Sequence, residues 1–211
     1  MSSKPLNKQR YTVSQRLEEY GEVARKRWLR AFEDALVLYP SKSIVLVGFK
    51  QEKRLDVVAE ADDGGMRLIR SFVILGASGR LGPKMREGDR QVPEGIYRIE
   101  LLNPNSRYHL SLRVGYPNEF DKRMAALERR GNLGGDIMIH GGDSSRGCLA
   151  VGDEAAEDLF VLAADVGLDN IKLILAPVDL RVRDMPQTDT PLPHWADELY
   201  RAIKSELAKI K

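Results

Sequence analysis

The sequence predicts an α+β fold, with a mostly antiparallel sheet of sandwich or barrel-like shape and flanking helices at both ends of the chain. Short runs rich in β-branched residues recur through the middle of the chain and are separated by turn residues. Near both termini, apolar residues repeat at spacings of three and four, as in amphipathic helices. The 211 residues are 43% hydrophobic and 30% charged, which is typical of one globular domain with a sizeable core.

The N-terminal segment, residues 1–40, is predicted to be a basic tail followed by an amphipathic helix that ends near Tyr39-Pro40. Thr12 and Gln15 have the spacing of a capping box at the start of that helix. We expect its basic face to be solvated while its apolar stripe packs on the domain; contact with an anionic polymer or lipid surface is the alternative. The apolar stripe consists of Val13, Leu17, Tyr20, Ala24, Trp28, Ala31 and Ala35, and the basic face of Arg16, Arg25, Lys26, Arg27 and Arg30.

The central segment, residues 41–180, contains the predicted sheet. Three strands should form an antiparallel meander, and two later strands should be joined by a turn at 103–106. A short helix and then a longer one follow, the longer capped by Asp153 and ended by Gly167. Strands are predicted at 43–49, 55–61, 66–75, 95–102, 108–116, 136–139 and 171–176.

Residues 181–211 complete the chain as a proline-containing linker and a C-terminal amphipathic helix that should pack on the domain. A glycine-rich, charged loop at 76–89 interrupts the central segment, and long loops of this kind often have a function. Its Lys84 and Arg86 can meet ligand carboxylates, as can Arg90 just beyond it, or they can simply keep the loop soluble.

The chemistry is predicted to lie in residues 136–150, DIMIHGGDSSRGCLA. A buried strand at 136–139 ends at His140, and a glycine-containing loop then leads to the only cysteine, Cys148. An imidazole can take the proton of a thiol, and the backbone N–H groups of a glycine loop can hold an oxyanion. The alternative is a small buried cysteine beside a structural histidine.

The run from Ile139 to Cys148 resembles the signature of the L,D-transpeptidases of the YkuD fold, in which a His-Gly pair is followed by Ser/Thr-x-Gly-Cys. The gap is short here, and Arg146 stands where the most quoted form has a second histidine. Both features are similar to the YafK-like branch of that family. Upstream blocks at 82–97 and 108–121 support the resemblance, which covers residues 43–177.

The resemblance implies cysteine-dependent acyl transfer through a thioester of Cys148, with His140 as the general base and the carbonyl of Gly141 orienting its ring. Asp143 or Ser144 are alternative orienting groups. Backbone N–H groups of Gly147 and Cys148 are expected to form the oxyanion hole, with glycine at 147 because a Cβ would block close approach.

Four side chains are predicted to bind substrate. Arg146 can hold a carboxylate and, as a fixed cation beside the thiol, favour the thiolate; a solvent-facing arginine is the alternative. Ser145 precedes it in the same loop. Tyr116 leaves the sheet where it can wall a peptide groove. His109 shares a strand face with Ser111 and Arg113 and can face the cleft, although a structural strand histidine is the simpler interpretation.

The implied substrate is a peptidoglycan stem peptide with meso-diaminopimelate and D-alanine, which implies a periplasmic or cell-envelope location. If water resolves the thioester, the protein is instead a hydrolase that cuts a diaminopimelate-linked bond, such as one that joins an envelope protein to peptidoglycan. A non-catalytic peptidoglycan-binding module is a third possibility.

Other classes of function are disfavoured by composition and spacing. A zinc site formed by His109, His140 and Cys148 matches no standard metal motif, so we expect neither a metal nor another cofactor. The net charge of +2 gives no strong field for nucleic acid. No apolar run is long enough to span a bilayer and no signal segment is recognisable, so we expect at most peripheral membrane contact.

Overall fold

The computed structural model describes residues 10–210, so most of the predicted basic tail lies outside the described residues. In this part of the chain, four α-helices surround one nine-stranded sheet. The helices are α1 (Val13–Asp34), α2 (Glu119–Leu127), α3 (Asp153–Val166) and α4 (Ala196–Leu207). The strands are β1 (Ile44–Phe49), β2 (Arg54–Glu60), β3 (Met66–Val73), β4 (Gly76–Ala77), β5 (Gly95–Ser106), β6 (His109–Val114), β7 (Met138–His140), β8 (Leu149–Ala150) and β9 (Ile171–Ala176).

The strand order in the sheet is β3-β2-β1-β9-β5-β6-β7-β8-β4. The predicted meander is confirmed, because β1 pairs antiparallel with β2 and β2 pairs antiparallel with β3. The α+β class is also confirmed, although β9 enters the sheet parallel to β1, and β7 lies parallel to β8. These two parallel pairings join strands that are distant in sequence or separated by a loop. The spacing of apolar residues along the chain does not reveal such pairings.

The long strand β5 connects the two halves of the sheet. Residues 95–98 pair with β9, and the pairing with β6 begins at Ile99, where the register shifts before Leu101. Such bulges bend a strand and increase its twist. The sheet therefore turns at this point, and the half that contains β6, β7 and β8 carries the candidate site described below.

Two predicted boundaries are wrong for identifiable reasons. The predicted turn at 103–106 is instead the end of β5: the Asn105 side chain exchanges two hydrogen bonds of 2.8 Å with the backbone of Tyr11, and Pro104 O accepts one from Arg16. These contacts from the N-terminal region hold the backbone extended. α1 also ends five residues earlier than Tyr39, at a turn in which Leu36 has a φ of +58°.

α1 begins with the predicted capping box and packs against α3. Part of its basic face is not solvated as predicted. Arg25 makes two hydrogen bonds of 2.7 Å to Asp165, and Arg27 makes one of 2.8 Å to Asp158, a fully buried carboxylate on α3. Acidic residues on the neighbouring helix therefore make these arginines part of the α1–α3 interface.

The sheet separates two apolar cores. One core lies between the sheet and the helices α1 and α3, and it contains Trp28. The other lies beneath α4 and contains Trp195. The C-terminal helix thus packs on the domain, as the apolar stripe in residues 195–210 indicated.

A buried ion pair attaches α4 and the loop before β5 to the sheet. The Lys50 ammonium donates to Glu94 Oε1 at 2.9 Å and to the carbonyls of Gly82 and Val92. Glu94 Oε1 also accepts the Gly82 N–H, and Oε2 accepts the hydroxyl of Tyr200 on α4 at 2.8 Å. Burial lowers the pKa of Lys50, and the charge of Glu94 opposes that shift. The pair therefore holds the loop that borders the candidate site.

Glu94→Ala should destabilise the fold by about 3–5 kcal/mol, because it leaves the Lys50 ammonium buried without its counter-charge. Chemical denaturation would measure the free energy of unfolding. Glu22→Ala is the matched control, since it removes only a solvent-exposed partner of Lys26 within α1 and should leave the midpoint unchanged. Equal midpoints for the two variants would contradict the assignment.

Candidate active site

The candidate site lies on one face of the short strands β7 and β8. Their parallel register pairs Ile139 with Leu149 and His140 with Ala150. Extended back by one residue, it sets Cys148, immediately before β8, beside Met138, two positions before His140. Successive side chains on a strand point to opposite faces. Cys148 and His140 therefore lie diagonally on one face of neighbouring strands, while Ile139 and Leu149 point into the core beneath α1 and α3.

The His140 ring is buried, and a backbone carbonyl sets its orientation. Its Nδ1 lies 2.6 Å from Gly141 O. Because a carbonyl can only accept, Nδ1 carries the hydrogen and Nε2 keeps its lone pair. Burial lowers the pKa of His140, and the bond to Gly141 opposes this shift. The imidazole is therefore neutral at neutral pH, with Nε2 available to take a proton.

The alternative orienting groups, Asp143 and Ser144, are exposed and bond to each other at 3.2 Å. The sequence did not indicate that Tyr108 stacks on the His140 ring, with centroids 4.6 Å apart and planes 25° apart. Tyr108 belongs to the turn before β6 and is itself about half exposed. It therefore covers one face of the imidazole at the edge of the site.

Gly141 is confined by its neighbours. A Cβ at this position would lie 2.8 Å from Tyr108 O, which no side chain tolerates. The Gly142 N–H donates to Asp153 Oδ1 at 2.8 Å. Asp153 is the first residue of α3 and not its cap as predicted: the cap is Gly152, and the Asp153 carboxylate binds this loop instead. The carbonyl that orients the imidazole is thereby held in place.

Cys148 is half-buried, and its Sγ lies 3.7 Å from Asp136 O. Burial raises the pKa of the Cys148 thiol, and the charge of Asp136 raises it further. A backbone hydrogen bond from Met138 and the positive charge of Lys84 act in the opposite direction. No hydrogen bond joins the side chains of Cys148 and His140 in the described part of the chain. The resting pair is therefore a neutral thiol and a neutral imidazole.

Gly147, predicted to supply half of the oxyanion hole, has its N–H occupied. It donates to Ser78 Oγ at 2.5 Å. The predicted reason for glycine also needs correction: a Cβ here would lie 3.6 Å from Gln91 O, an ordinary contact. Glycine is required because φ is +97°. An oxyanion at this N–H would have to displace the Ser78 hydroxyl.

Of the predicted substrate-binding side chains, Ser145 and Arg146 lie in the same loop but differ in environment. The Ser145 hydroxyl lies 2.5 Å from Cys148 O and accepts the Ser78 N–H at 3.2 Å, so it braces the loop. Arg146 is exposed, and among residues 10–210 it has no ion-pair partner. The positive charge that acts on the thiol belongs to Lys84 and not to Arg146 as predicted.

Tyr116 and His109 do not line an open groove, contrary to expectation. Tyr116 is 4% exposed and its hydroxyl donates to Leu133 O at 3.2 Å, so it supports the loops from below. His109 has a φ of +68°, which breaks the alternation of the strand. Its ring packs edge-on against Tyr20 of α1, and its Nε2 lies 2.8 Å from Glu157 Oε1 on α3.

Within residues 10–210, no three His, Cys, Asp or Glu side chains are grouped as they would be to hold a metal ion. None of the helices in this part of the chain combines the length and the apolar character needed to cross a bilayer. A cavity of about 1220 Å³ lies between β5, β9 and the end of α4, and neither Cys148 nor His140 lines it.

The fold and the site define an α+β domain whose single cysteine shares a sheet face with a buried histidine. The family model for the YkuD L,D-transpeptidase catalytic domain matches residues 43–174. The chain belongs to this family.

Individual relatives match over part of their length. YafK of Escherichia coli strain K12, which carries the L,D-transpeptidase name provisionally, is 36% identical over 114 residues. The match covers 53% of this chain and 44% of YafK; the protein of the same name in E. coli O157:H7 matches equally. The chain thus spans less than half of these curated relatives. The helical cell shape determining protein Pgp2 from Campylobacter jejuni has the same fold, at 23% identity and a TM-score of 0.54 over 84% of this chain and 58% of Pgp2.

The rate at which iodoacetamide alkylates Cys148 should not level off at neutral pH, as it would if the thiol were already a thiolate. The rate should keep rising past the ordinary pKa of a cysteine thiol, because burial raises the pKa of Cys148. Lys84→Met should move the profile to still higher pH, whereas Arg146→Ala should leave it in place. A profile that is flat from pH 6 upwards would instead reveal a thiolate–imidazolium pair and contradict the neutral resting state.

Proposed function

We propose that this protein is a cysteine-dependent acyltransferase that acts on peptidoglycan stem peptides, as the family's name implies. The observation that carries the proposal is the placement of Cys148 and His140 on one face of adjacent strands. The bond between Nδ1 and the carbonyl of Gly141 leaves the Nε2 lone pair of His140 available to accept a proton. This arrangement has a nucleophile, a base and a group that orients the base, which are the parts that covalent acyl transfer requires.

In the proposed reaction, His140 takes the thiol proton as Cys148 attacks the carbonyl carbon of a stem-peptide amide. The tetrahedral intermediate collapses, its C–N bond breaks, and His140 returns the proton to the leaving amine. The Cys148 thioester then reacts with an amine of a second stem peptide, and the thiol is restored. Because the resting thiol is neutral, proton transfer accompanies attack; catalytic hydrogen bonds that are absent without substrate commonly form in the complex.

Oxyanion stabilisation in this scheme falls to the backbone N–H groups of Cys148 and Gly147. The hydroxyl of Ser78 holds the Gly147 N–H at rest. The hydroxyl also donates its own hydrogen to Arg90 O at 2.7 Å, and this second bond does not depend on the Gly147 N–H. We therefore infer that the substrate carbonyl replaces Ser78 at Gly147 as the intermediate forms, which frees no unpaired buried group.

The proposed substrate contains meso-diaminopimelate and D-alanine and carries several carboxylates. Arg146 is exposed beside the site and is available to bind one of them. Pgp2, which has the same fold, is named for determining helical cell shape. A role in cell-wall maturation, in the periplasm or elsewhere in the envelope, is the corresponding proposal for this chain.

Incubation with purified meso-diaminopimelate peptidoglycan, followed by mass spectrometry of the released stem peptides, should show crosslinked products for the wild type. Cys148→Ala should reduce them to background, and His140→Gln should slow their formation by about 10²–10⁴-fold, since it removes the base. Ser144→Ala is the matched control, because Ser144 is an exposed residue of the same loop and should keep full activity.

The same experiment identifies the molecule that accepts the acyl group from Cys148. Loss of a terminal residue, or release of a peptidoglycan-linked protein, without crosslinks would identify water as the acceptor and make the enzyme a hydrolase. If Cys148→Ala retained all products or all peptidoglycan-dependent function, the covalent scheme would be wrong and a binding module would replace it.

A further inference from the structure

Strand β6 presents two incompletely bonded polar side chains to the candidate site. In the described part of the chain, four buried side-chain polar atoms lack a hydrogen-bond partner, and two of them are Ser111 Oγ and Arg113 Nε. Ser111 lies directly opposite His140 and Arg113 directly opposite Met138 on β7. Since directly paired residues share a face, both β6 side chains lie on the face of the thiol and the imidazole. Buried polar groups are normally hydrogen-bonded, so Ser111 Oγ and Arg113 Nε are exceptions on the face of the candidate site.

Arg113 on β6 pairs with Met138 on β7, and Cys148, the residue immediately before β8, continues this row when the β7–β8 register is extended by one residue. A backbone hydrogen bond from Met138 to the Cys148 thiol agrees with that extension. The spacing between strands places the outer two Cα atoms about 10 Å apart. Asp136 links the ends of this row: its carboxylate lies 3.4 Å from the Arg113 guanidinium, and its carbonyl is the atom that Cys148 Sγ contacts. A single residue, Asp136, therefore contacts both the Arg113 guanidinium and the Cys148 sulfur.

The protein partners of Arg113 are poor ones. Its Nε is 3.7 Å from Glu100 Oε2, and its contact with Asp136 is 3.4 Å, both longer than a normal charged hydrogen bond. The side chains of Glu100 and Asp136 are 54% and 83% exposed, so solvent screens both charges. By contrast, Arg25 binds Asp165 through two bonds of 2.7 Å. The guanidinium of Arg113 therefore retains N–H groups that can bind the carboxylate of a ligand.

We propose that Arg113 is a substrate-binding residue that holds the side-chain carboxylate of diaminopimelate while Cys148 attacks the stem peptide. This inference rests on the proposed function. The carboxylate adjoining the scissile bond would lie next to the sulfur, whereas the far carboxylate of diaminopimelate extends away from it along the row. Both Glu100 and Asp136 are exposed, so they can turn into solvent when the substrate carboxylate takes their place. A strand position also holds the guanidinium more rigidly than the loop holds Arg146.

Binding should be measured by calorimetry in a Cys148→Ala background, which cannot turn over. The two probes are a stem tetrapeptide with a free diaminopimelate carboxylate and the same peptide with that carboxylate amidated. The background protein should prefer the free carboxylate. Arg113→Gln should weaken binding of that peptide by about 10- to 100-fold, change the amidated peptide little, and so abolish the preference. Arg113→Lys should retain part of it, because it keeps the charge and loses the bidentate geometry.

Two controls separate this effect from others. Arg123→Gln removes an arginine that pairs with Glu198 away from the site and should leave both affinities unchanged. Arg146→Ala should leave the preference between the peptides intact, since Arg146 is proposed to bind a different carboxylate. Thermal midpoints of the Arg113 variants close to that of the background protein would show that they are folded.

The outcomes also separate the two proposals. If Arg113→Gln weakens both peptides equally or neither of them, the role of Arg113 is overturned while the acyl-transfer proposal stands. If wild type processes peptidoglycan but the background protein binds both peptides equally, the same conclusion follows. If wild type forms no product and the background protein binds neither peptide, the proposed function itself fails, and the Arg113 assignment fails with it.

Discussion

The parallel pairing of β7 with β8 is the constraint on which the candidate site depends. Only in this register do Cys148 and His140 share a face, one pleat apart, while Ile139 and Leu149 are anchored in the core. A shift by one residue would turn the thiol into the core and destroy the arrangement. The short loop between the two strands therefore has to close tightly, which explains the positive φ angles of its glycines at 142 and 147.

Residues far away in the chain complete the site. The loop before β5 brings the hydroxyl of Ser78 to Gly147 and the charge of Lys84 near Cys148, and the buried pair of Lys50 and Glu94 holds that loop to the sheet. The Gly147 N–H and the pKa of the Cys148 thiol thus both depend on a loop that lies about sixty residues before Cys148 in the chain. Such support by a separate, well-anchored segment is what a preorganised site requires.

Much of the fold and the centre of the site could be predicted. Alternation and turn chemistry predicted the meander, and the capping box predicted the start of α1. Cys148 and His140 could be proposed because a glycine loop joins them within one short stretch. Ser78 and Tyr108 could not, since a lone serine and a turn tyrosine carry no local signal. Lys84 was noted as a loop cation, but its proximity to the thiol depends on how that loop packs.

The sequence by itself determined the periodicity of the helices and strands and the local order of histidine, glycines and cysteine, because these features act between residues close together in the chain. Tertiary structure alone decided which of them share a surface. It turned His109 towards α3, buried Tyr116, and made the charge of Lys84, not that of Arg146, the one that lowers the pKa of the Cys148 thiol. Strand pairing, burial and charge proximity depend on residues distant in sequence, and only the folded chain brings these together.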